Sequence, residues 1–368
     1  METKTIKAGI SQGDINGIGY EVIIKALMDP AINDFCVPLV YGSPKVAAYH
    51  RKALNINNFS FNNIKTAEEA NHKKANMINC LDDNVRVEFG KSTQQGGEAA
   101  LASLERAVED ILNGKIDVLV TAPIDKKNIQ SEKFSFKGHT EYLKSKAGAE
   151  DALMFMISEN MKIGFVTGHV PLSKVSELLT TELLIRKIKM INHSLMADFG
   201  IRKPLIALLG INPHAGDNSL LGTEEAEIII PAMKQAEREG IMTFGPFAAD
   251  GFFGAASFTK FDGILSMYHD QGLAPFKALA FDSGVNYTAG LPFVRTSPVH
   301  GTAFHIAGKG EASENSFRQA LYLACTIFRN RQEYAVLMKN PLKKQEIEIH
   351  PDKVDELPPE IYNNEPHI

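Results

Sequence analysis

The chain has 368 residues, 44% of them hydrophobic and 23% charged, with a formal net charge of -5. That length suits about two domains with a substantial core. The acidic balance excludes a general nucleic-acid binder, because no basic surface is available for a phosphate backbone. Cys36, Cys80 and Cys325 are the only cysteines. They form no C-x-x-C pair, which argues for free thiols in a reducing cytoplasm rather than a disulfide framework or zinc ribbon.

In chain order, METKTIKAGISQG lacks the apolar core of a signal peptide. Nowhere is there an apolar run of about 18 residues, so no membrane span is expected. IKAGIS reads as a strand, followed by the glycine-rich turn GDINGIG and the helix YEVIIKALMD. Gly17 and Gly19 begin a dinucleotide fingerprint, but its third glycine falls on Val22, so the fingerprint fails. The turn either offers backbone N–H groups to a ligand or is a plain tight turn. VPLVYG is the next strand. VRVEF reads as another, ending in GKST at Gly90 to Thr93. A phosphate-binding P-loop needs a glycine where Val85 stands, so GKST reads as a turn.

The helix GEAALASLERAVEDILNGK stops at Gly114, and IDVLVTAP follows as a strand. GHTEYLKSKAG places His139 and Thr140 at the start of a short helix ending at Gly148. Beyond it come the strand MKIGFVTG, the long helical stretch SKVSELLTTELLIRKIKMINHSLMADFG and the strand PLIALLGI. The helix TEEAEIIIPAMKQAEREG, the strand DGILSMY and the helix SFRQALYLACTIFRN complete the pattern. This alternation predicts an α/β fold with a largely parallel sheet. The tail from Pro341 is charged and proline-rich and reads as a loosely packed extension.

Three strand candidates share a feature: MKIGFVTG runs into His169, PLIALLGI into His214 and DGILSMY into His269. If the strands are parallel, these imidazoles lie along the carboxyl edge of the sheet, where open α/β sheets bind ligands. Three imidazoles on one divalent ion leave a coordination position for water or substrate, as a catalytic site requires. Anion-binding groups accompany them. A helix N-terminus at His139 and Thr140 suits phosphate or carboxylate, although Thr140 is equally an ordinary N-cap. Lys277 in APFKAL and Arg295 in LPFVRTS sit in apolar surroundings that favour a buried ionic partner.

With GDINGIGYE, TAPIDKKNI, GHTEYL, NPHAGDNSLLGTEE, YHDQGLAPFK and VNYTAGLPFVRTS in this order, the chain resembles the 4-hydroxythreonine-4-phosphate dehydrogenases from about Ile10 to about Gly310. The resemblance implies two α/β/α domains around a central cleft, similar to isocitrate and isopropylmalate dehydrogenases, with a non-Rossmann cofactor site. It places one domain at 1–138 with 300–368 and the other at 139–299. It implies a homodimer with the site completed by the second subunit. Metal ligands carry over to His169, His214 and His269, and substrate contacts to His139, Thr140, Lys277, Asn286 and Arg295. Asp250 and Asp270 match acidic residues beside the metal, and Asp250 and Lys277 are the candidates for accepting the alcohol proton. The implied reaction is NAD-dependent oxidation of 4-hydroxythreonine 4-phosphate to a 3-oxo acid. Decarboxylation then yields 3-amino-2-oxopropyl phosphate for pyridoxal 5'-phosphate synthesis. One zinc, magnesium or cobalt ion would serve each site.

HGTAFHIAGKG resembles the cofactor loop of the isocitrate and isopropylmalate enzymes, which implies that His300, Gly301, Thr302, His305 and Gly308 contact the nicotinamide cofactor. His305 stands where NAD-using relatives carry an aspartate, so the expectation is NAD with weak discrimination against NADP. Val299 replaces a frequent aspartate and Tyr20 a frequent proline; the first bears on cofactor orientation, the second on little. The alternative substrate is a threonate or erythronate 4-phosphate. A metal-dependent hydrolase or aldolase also fits three histidines but leaves the cofactor loop without a role. A metabolite-binding module without catalysis would leave the intact metal and phosphate groups without work.

Overall fold

The computed structural model describes residues 5–82 and 84–341. Its strands are β1 (Ile6–Ser11), β2 (Cys36–Gly42), β3 (Asn62–Ile64), β4 (Asn76–Asn79), β5 (Val118–Thr121), β6 (Leu153–Ile157), β7 (Lys162–Phe165), β8 (Leu205–Leu209), β9 (Met242–Phe247), β10 (Gly263–Ser266), β11 (Val285–Ala289) and β12 (Val294–Pro298). They form one sheet in the order β3-β4-β2-β1-β5-β12-β11-β6-β7-β10-β8-β9. Pairing is parallel from β3 to β12 and from β7 to β9. Three antiparallel contacts, β12 to β11, β11 to β6 and β6 to β7, join the two parallel halves. The fold is α/β, as the alternation of elements predicts.

The central parallel strands β1, β2, β5, β8 and β10 are buried on both faces, which explains their near-continuous apolar runs, whereas the edge strands β3 and β9 are half exposed. Along β2, side chains alternate between two cores: Cys36 and Val40 enter one, Val37, Leu39 and Tyr41 the other. Helices Gln94–Leu112, Thr181–Ala197 and Asn315–Leu337 cover the sheet, and the last spans the junction by packing on β5, β11 and β12. Among the described residues, no helix is long and apolar enough to cross a membrane.

Several expectations need correction. VRVEF is not a strand: the N–H groups of Arg86 and Glu88 donate to the Gln95 and Asn16 side chains rather than to a neighbouring strand. GKST is a turn whose Thr93 caps the helix Gln94–Leu112 by accepting from Gly96 N at 3.1 Å. The stretch 173–200 is not one helix. Thr180 is extended and caps a new helix by accepting from Leu183 N at 3.2 Å. TEEAEIII begins with a π-helical segment, Glu225–Ile229, before the α-helix Ile230–Arg238. After β10 the chain turns at once into a helix, His269–Ala280, with His269 its first residue. Tyr20 matters more than expected: its buried hydroxyl donates to Gln12 Oε1 at 2.6 Å and accepts from Ser43 N at 2.8 Å, tying β1 to the next helix. Beyond Pro341, the tail lies outside the described residues.

Candidate active site

The junction of the two parallel halves holds a cleft of about 410 Å³. β12 supplies Arg295 to it, β11 Asn286, and β6 Met154 and Met156. The helix His139–Lys146 points its first turn into it, and the helix His269–Ala280 contributes His269 and Lys277. His300 and Gly301 close one side.

Arg295 is 2% exposed. Its Nε and Nη2 donate to Thr121 Oγ1 at 3.1 and 2.6 Å, and Nη1 to Thr288 Oγ1 at 3.1 Å. Among the described residues, no carboxylate lies within ion-pair distance of it. Burial pulls the guanidinium down to about 9, with the nearby Glu141 carboxylate opposing that shift, so at neutral pH it is a buried positive charge without a direct ion-pair partner among the described residues. Lys126 and Lys277 add further cations at the rim. His139 is held in its neutral form by burial and by the nearby Arg295 and Lys126. His300 is likewise lowered, first by burial and also by Lys277, while its Nδ1 sits 3.1 Å from the Gly301 carbonyl. His139 Nε2, Glu141 Oε2, Asn286 Oδ1 and His300 Nε2 are buried without hydrogen-bond partners. Four unpaired polar atoms around one cleft mark a place for a polar ligand.

The parallel order β7-β10-β8 brings the carboxyl ends leading to His169, His269 and His214 side by side, as predicted. The His169 and His269 rings meet, with centroids 5.3 Å apart. Each has a carboxylate at Nδ1: Asp270 Oδ1 at 2.6 Å from His269 and Glu141 Oε1 at 3.7 Å from His169. The Asp270 contact leaves Nε2 of His269 as its free ring nitrogen, and two adjacent imidazoles supply part of a divalent-cation donor set. His214 does not line this cleft, and among the described residues no group of three histidine, cysteine or acidic side chains is placed to hold a metal. It lies in the turn Pro213–Gly216, where His214 and Ala215 take φ of 53° and 52°. Such left-handed geometry in non-glycine residues is costly and concentrates at functional sites. Asp250 is exposed on the helix Ala249–Gly254, next to that turn and outside the cleft.

Of the expected substrate residues, His139, Thr140, Lys277, Asn286 and Arg295 all line the cleft. Of the cofactor loop, His300 and Gly301 do; Thr302, His305 and Gly308 continue away from it. The GDINGIG turn is a tight turn that supports this loop: Gly17 N donates to Asp14 O, and Ile18 N to Thr302 O at 3.0 Å. A side chain at Gly17 would strike the Thr302 carbonyl. Val299 is buried, lines the cleft and is fixed by donation from its N to Ser316 Oγ at 3.0 Å. Sequence reasoning missed Lys126, Glu141, Thr121 and the two methionines. TAPIDKKNI and GHTEYL carry most of them, but a lysine pair and a first-turn glutamate read equally as solvated charges.

The family described as "Pyridoxal phosphate biosynthetic protein PdxA" matches residues 34–324. A 4-hydroxythreonine-4-phosphate dehydrogenase from Bacteroides thetaiotaomicron is 56% identical over 354 residues, covering 96% of this chain and 97% of that protein. A putative D-threonate 4-phosphate dehydrogenase from Oceanobacillus iheyensis is 39% identical, covering 86% and 96%. The crystal structure of a 4-hydroxythreonine-4-phosphate dehydrogenase from Klebsiella pneumoniae is similar with a TM-score of 0.76 and 32% identity, covering 89% of this chain and 99% of that one.

Proposed function

The chain belongs to the PdxA family of pyridoxal phosphate biosynthetic proteins, and from that premise we propose that it is the dehydrogenase that oxidises 4-hydroxythreonine 4-phosphate. The product is a 3-oxo acid that loses carbon dioxide to give 3-amino-2-oxopropyl phosphate. The observation that carries this reading is Arg295, a buried cation whose described partners are hydroxyl groups. A phosphate or carboxylate arriving in the cleft supplies the direct ionic partner that Glu141, acting only at longer range, does not.

In this reading Arg295, Lys277, Thr140 and Asn286 hold the phosphorylated substrate, and neutral His139 adds a donor or acceptor according to its tautomer. Lys126 joins them. The apolar floor of Met154 and Met156 excludes water from the reacting carbon. His169 and His269 would hold a zinc, magnesium or cobalt ion, with His214 and Asp250 reaching the same site from the second subunit of a homodimer. NAD would lie along His300, Gly301, Thr302, His305 and Gly308. When bound, the cation supplies Lewis acidity at the secondary alcohol and NAD accepts the hydride. Lys277 and Asp250 are the candidates for accepting the alcohol proton; Lys277 would serve only in its neutral form, and Asp250 only from the second subunit. The proposed domain division, 1–138 with 300–368 against 139–299, puts the cofactor loop and most substrate residues on opposite walls. Free thiols at Cys36, Cys80 and Cys325 fit a cytoplasmic setting.

A second reading, oxidation of D-threonate 4-phosphate, is favoured by the relative from Oceanobacillus iheyensis. Both substrates satisfy the phosphate-binding groups and differ at the 2-amino position. NADH absorbance with each substrate, with and without a chelator, tests the proposal. Turnover of 4-hydroxythreonine 4-phosphate at the higher kcat/KM supports it, and turnover of threonate phosphate alone replaces it with the second reading.

A further inference from the structure

We propose that Glu141 is a positioning residue of the cation site, holding the His169 ring with Nδ1 toward its carboxylate and Nε2 toward His269. Glu141 is the one carboxylate lining the cleft among the described residues, and it stands among Lys126, Lys277 and Arg295. A negative charge there opposes binding of a phosphorylated substrate, and although it offsets part of the charge on Arg295 and Lys126, it makes no direct ion pair with either. Its nearest cleft neighbour of suitable chemistry is the imidazole: Oε1 lies 3.7 Å from His169 Nδ1, and Oε2 is buried without a partner. At that separation the pair is in ion-pair range and longer than a hydrogen bond.

His169 needs such support. It sits in the turn after β7, and its side chain is 36% exposed. Besides Glu141, the described contact to its ring is the His269 imidazole. A carboxylate at one ring nitrogen fixes the tautomer and orientation of the other. His269 already shows this arrangement, with Asp270 Oδ1 at 2.6 Å from its Nδ1. Glu141 stands at the corresponding nitrogen of His169 at the longer distance of 3.7 Å, so each of the two imidazoles on neighbouring strand ends faces a carboxylate. It also lies on the first turn that carries His139 and Thr140. One rigid helix thus sets the spacing between the phosphate-holding groups and the proposed cation.

This inference rests on the cation site proposed above, and its test separates the two. Full-length wild-type protein, Glu141→Gln and Glu141→Ala would be titrated with Co²⁺, following heat and the visible ligand-field absorption. Inorganic phosphate binding would be followed by thermal shift in the same samples. Loss of a positioning partner should weaken Co²⁺ binding about 10- to 100-fold in Glu141→Ala and less in Glu141→Gln, with an altered absorption band. Phosphate binding should stay level or tighten, because an anion has left the cleft. Wild-type-like Co²⁺ affinity and spectrum in Glu141→Ala overturn the inference. Wild-type protein that binds no Co²⁺ overturns the cation site itself. If Glu141→Ala loses phosphate as well, the helix has been damaged and Glu141→Gln decides: affinity and spectrum equal to wild type overturn the role, and a weakened, altered complex upholds it.

Discussion

Replacing Arg295 by methionine should leave the ligand-free protein at least as stable as wild type while removing its response to phosphate. The guanidinium is 2% exposed, and burial moves it from its ordinary 12.5 to about 9. At about 1.36 kcal/mol per tenfold, that gap corresponds to roughly 5 kcal/mol of strain from holding the charge out of water. Three hydrogen bonds to Thr121 and Thr288 belong to the native fold, and losing them costs about 1 kcal/mol each. The balance predicts a gain of about 1 to 3 kcal/mol for Arg295→Met, in line with other buried charges exchanged for apolar side chains of similar volume. Wild-type protein should gain about 2.7 kcal/mol at a phosphate concentration 100 times its Kd, and the variant nothing at the same concentration. Urea unfolding with and without inorganic phosphate measures both quantities. A variant that loses more than about 2 kcal/mol without ligand, or keeps the phosphate response, would show that Arg295 is a structural cation and that the cleft does not take its anion there.

Three further outcomes are expected. His169→Ala and His214→Ala should each be inactive, yet an equimolar mixture allowed to exchange subunits should regain about a quarter of wild-type activity, because half the dimers carry one intact site; a dead mixture excludes a shared site. Discrimination between NAD and NADP, as a ratio of kcat/KM, should fall below about 1,000-fold, roughly 4 kcal/mol, and His305→Asp should raise it; a larger wild-type ratio removes His305 from that role. His50 is buried, its Nε2 lies 2.8 Å from the Ile15 carbonyl, and burial lowers it from 6.5 to about 4. The folded value lies below the unfolded one, so this contribution is present above pH 6.5 and is lost as pH falls toward 4. Denaturant unfolding at pH 7.5 and 4.5 should show about 2 to 3 kcal/mol of that loss, absent in His50→Gln; equal losses in both proteins would acquit His50.

How far the sequence carries depends on which interactions fix each element. β1, β2, β5, β7, β8 and β10 were legible because central parallel strands bury both faces and read as apolar runs. β6, β11 and β12 were not. β6 is LMFMI, a methionine-rich run without helical or alternating period, and β12 is VRTSP, whose polar residues serve the site and the helix packed on it. These are the antiparallel strands that join the halves and floor the cleft, so the part of the fold that makes the site was the part with the weakest pattern. VRVEF failed for the opposite reason: it alternates well, but its N–H groups are taken by Asn16 and Gln95 side chains. Pattern reports burial and period, not which acceptor a backbone group finds.

The histidines show the same division. Parallel strands alone required that the chain segments reaching 169, 269 and 214 leave one edge of the sheet, and they do. The segment leaving each strand decides where the ring goes. After β10 a helix begins at once and fixes His269 at its first residue. After β7 a short turn lets His169 reach it. After β8 the chain is pinned differently: Glu225 Oε1 accepts from Ile211 and Asn212 N at 2.8 Å each, and the backbone then runs through consecutive left-handed residues at His214 and Ala215. That turn holds His214 beside Asp250's helix rather than in its own cleft. Strain of this kind persists only where the surroundings enforce it, and here they direct both expected site residues away from their own chain's cleft. An enzyme sharing sites between two subunits has a use for such a turn. A self-contained site would have none, which is why the subunit-mixing experiment bears on the metal centre more directly than loss of activity in His214→Ala alone.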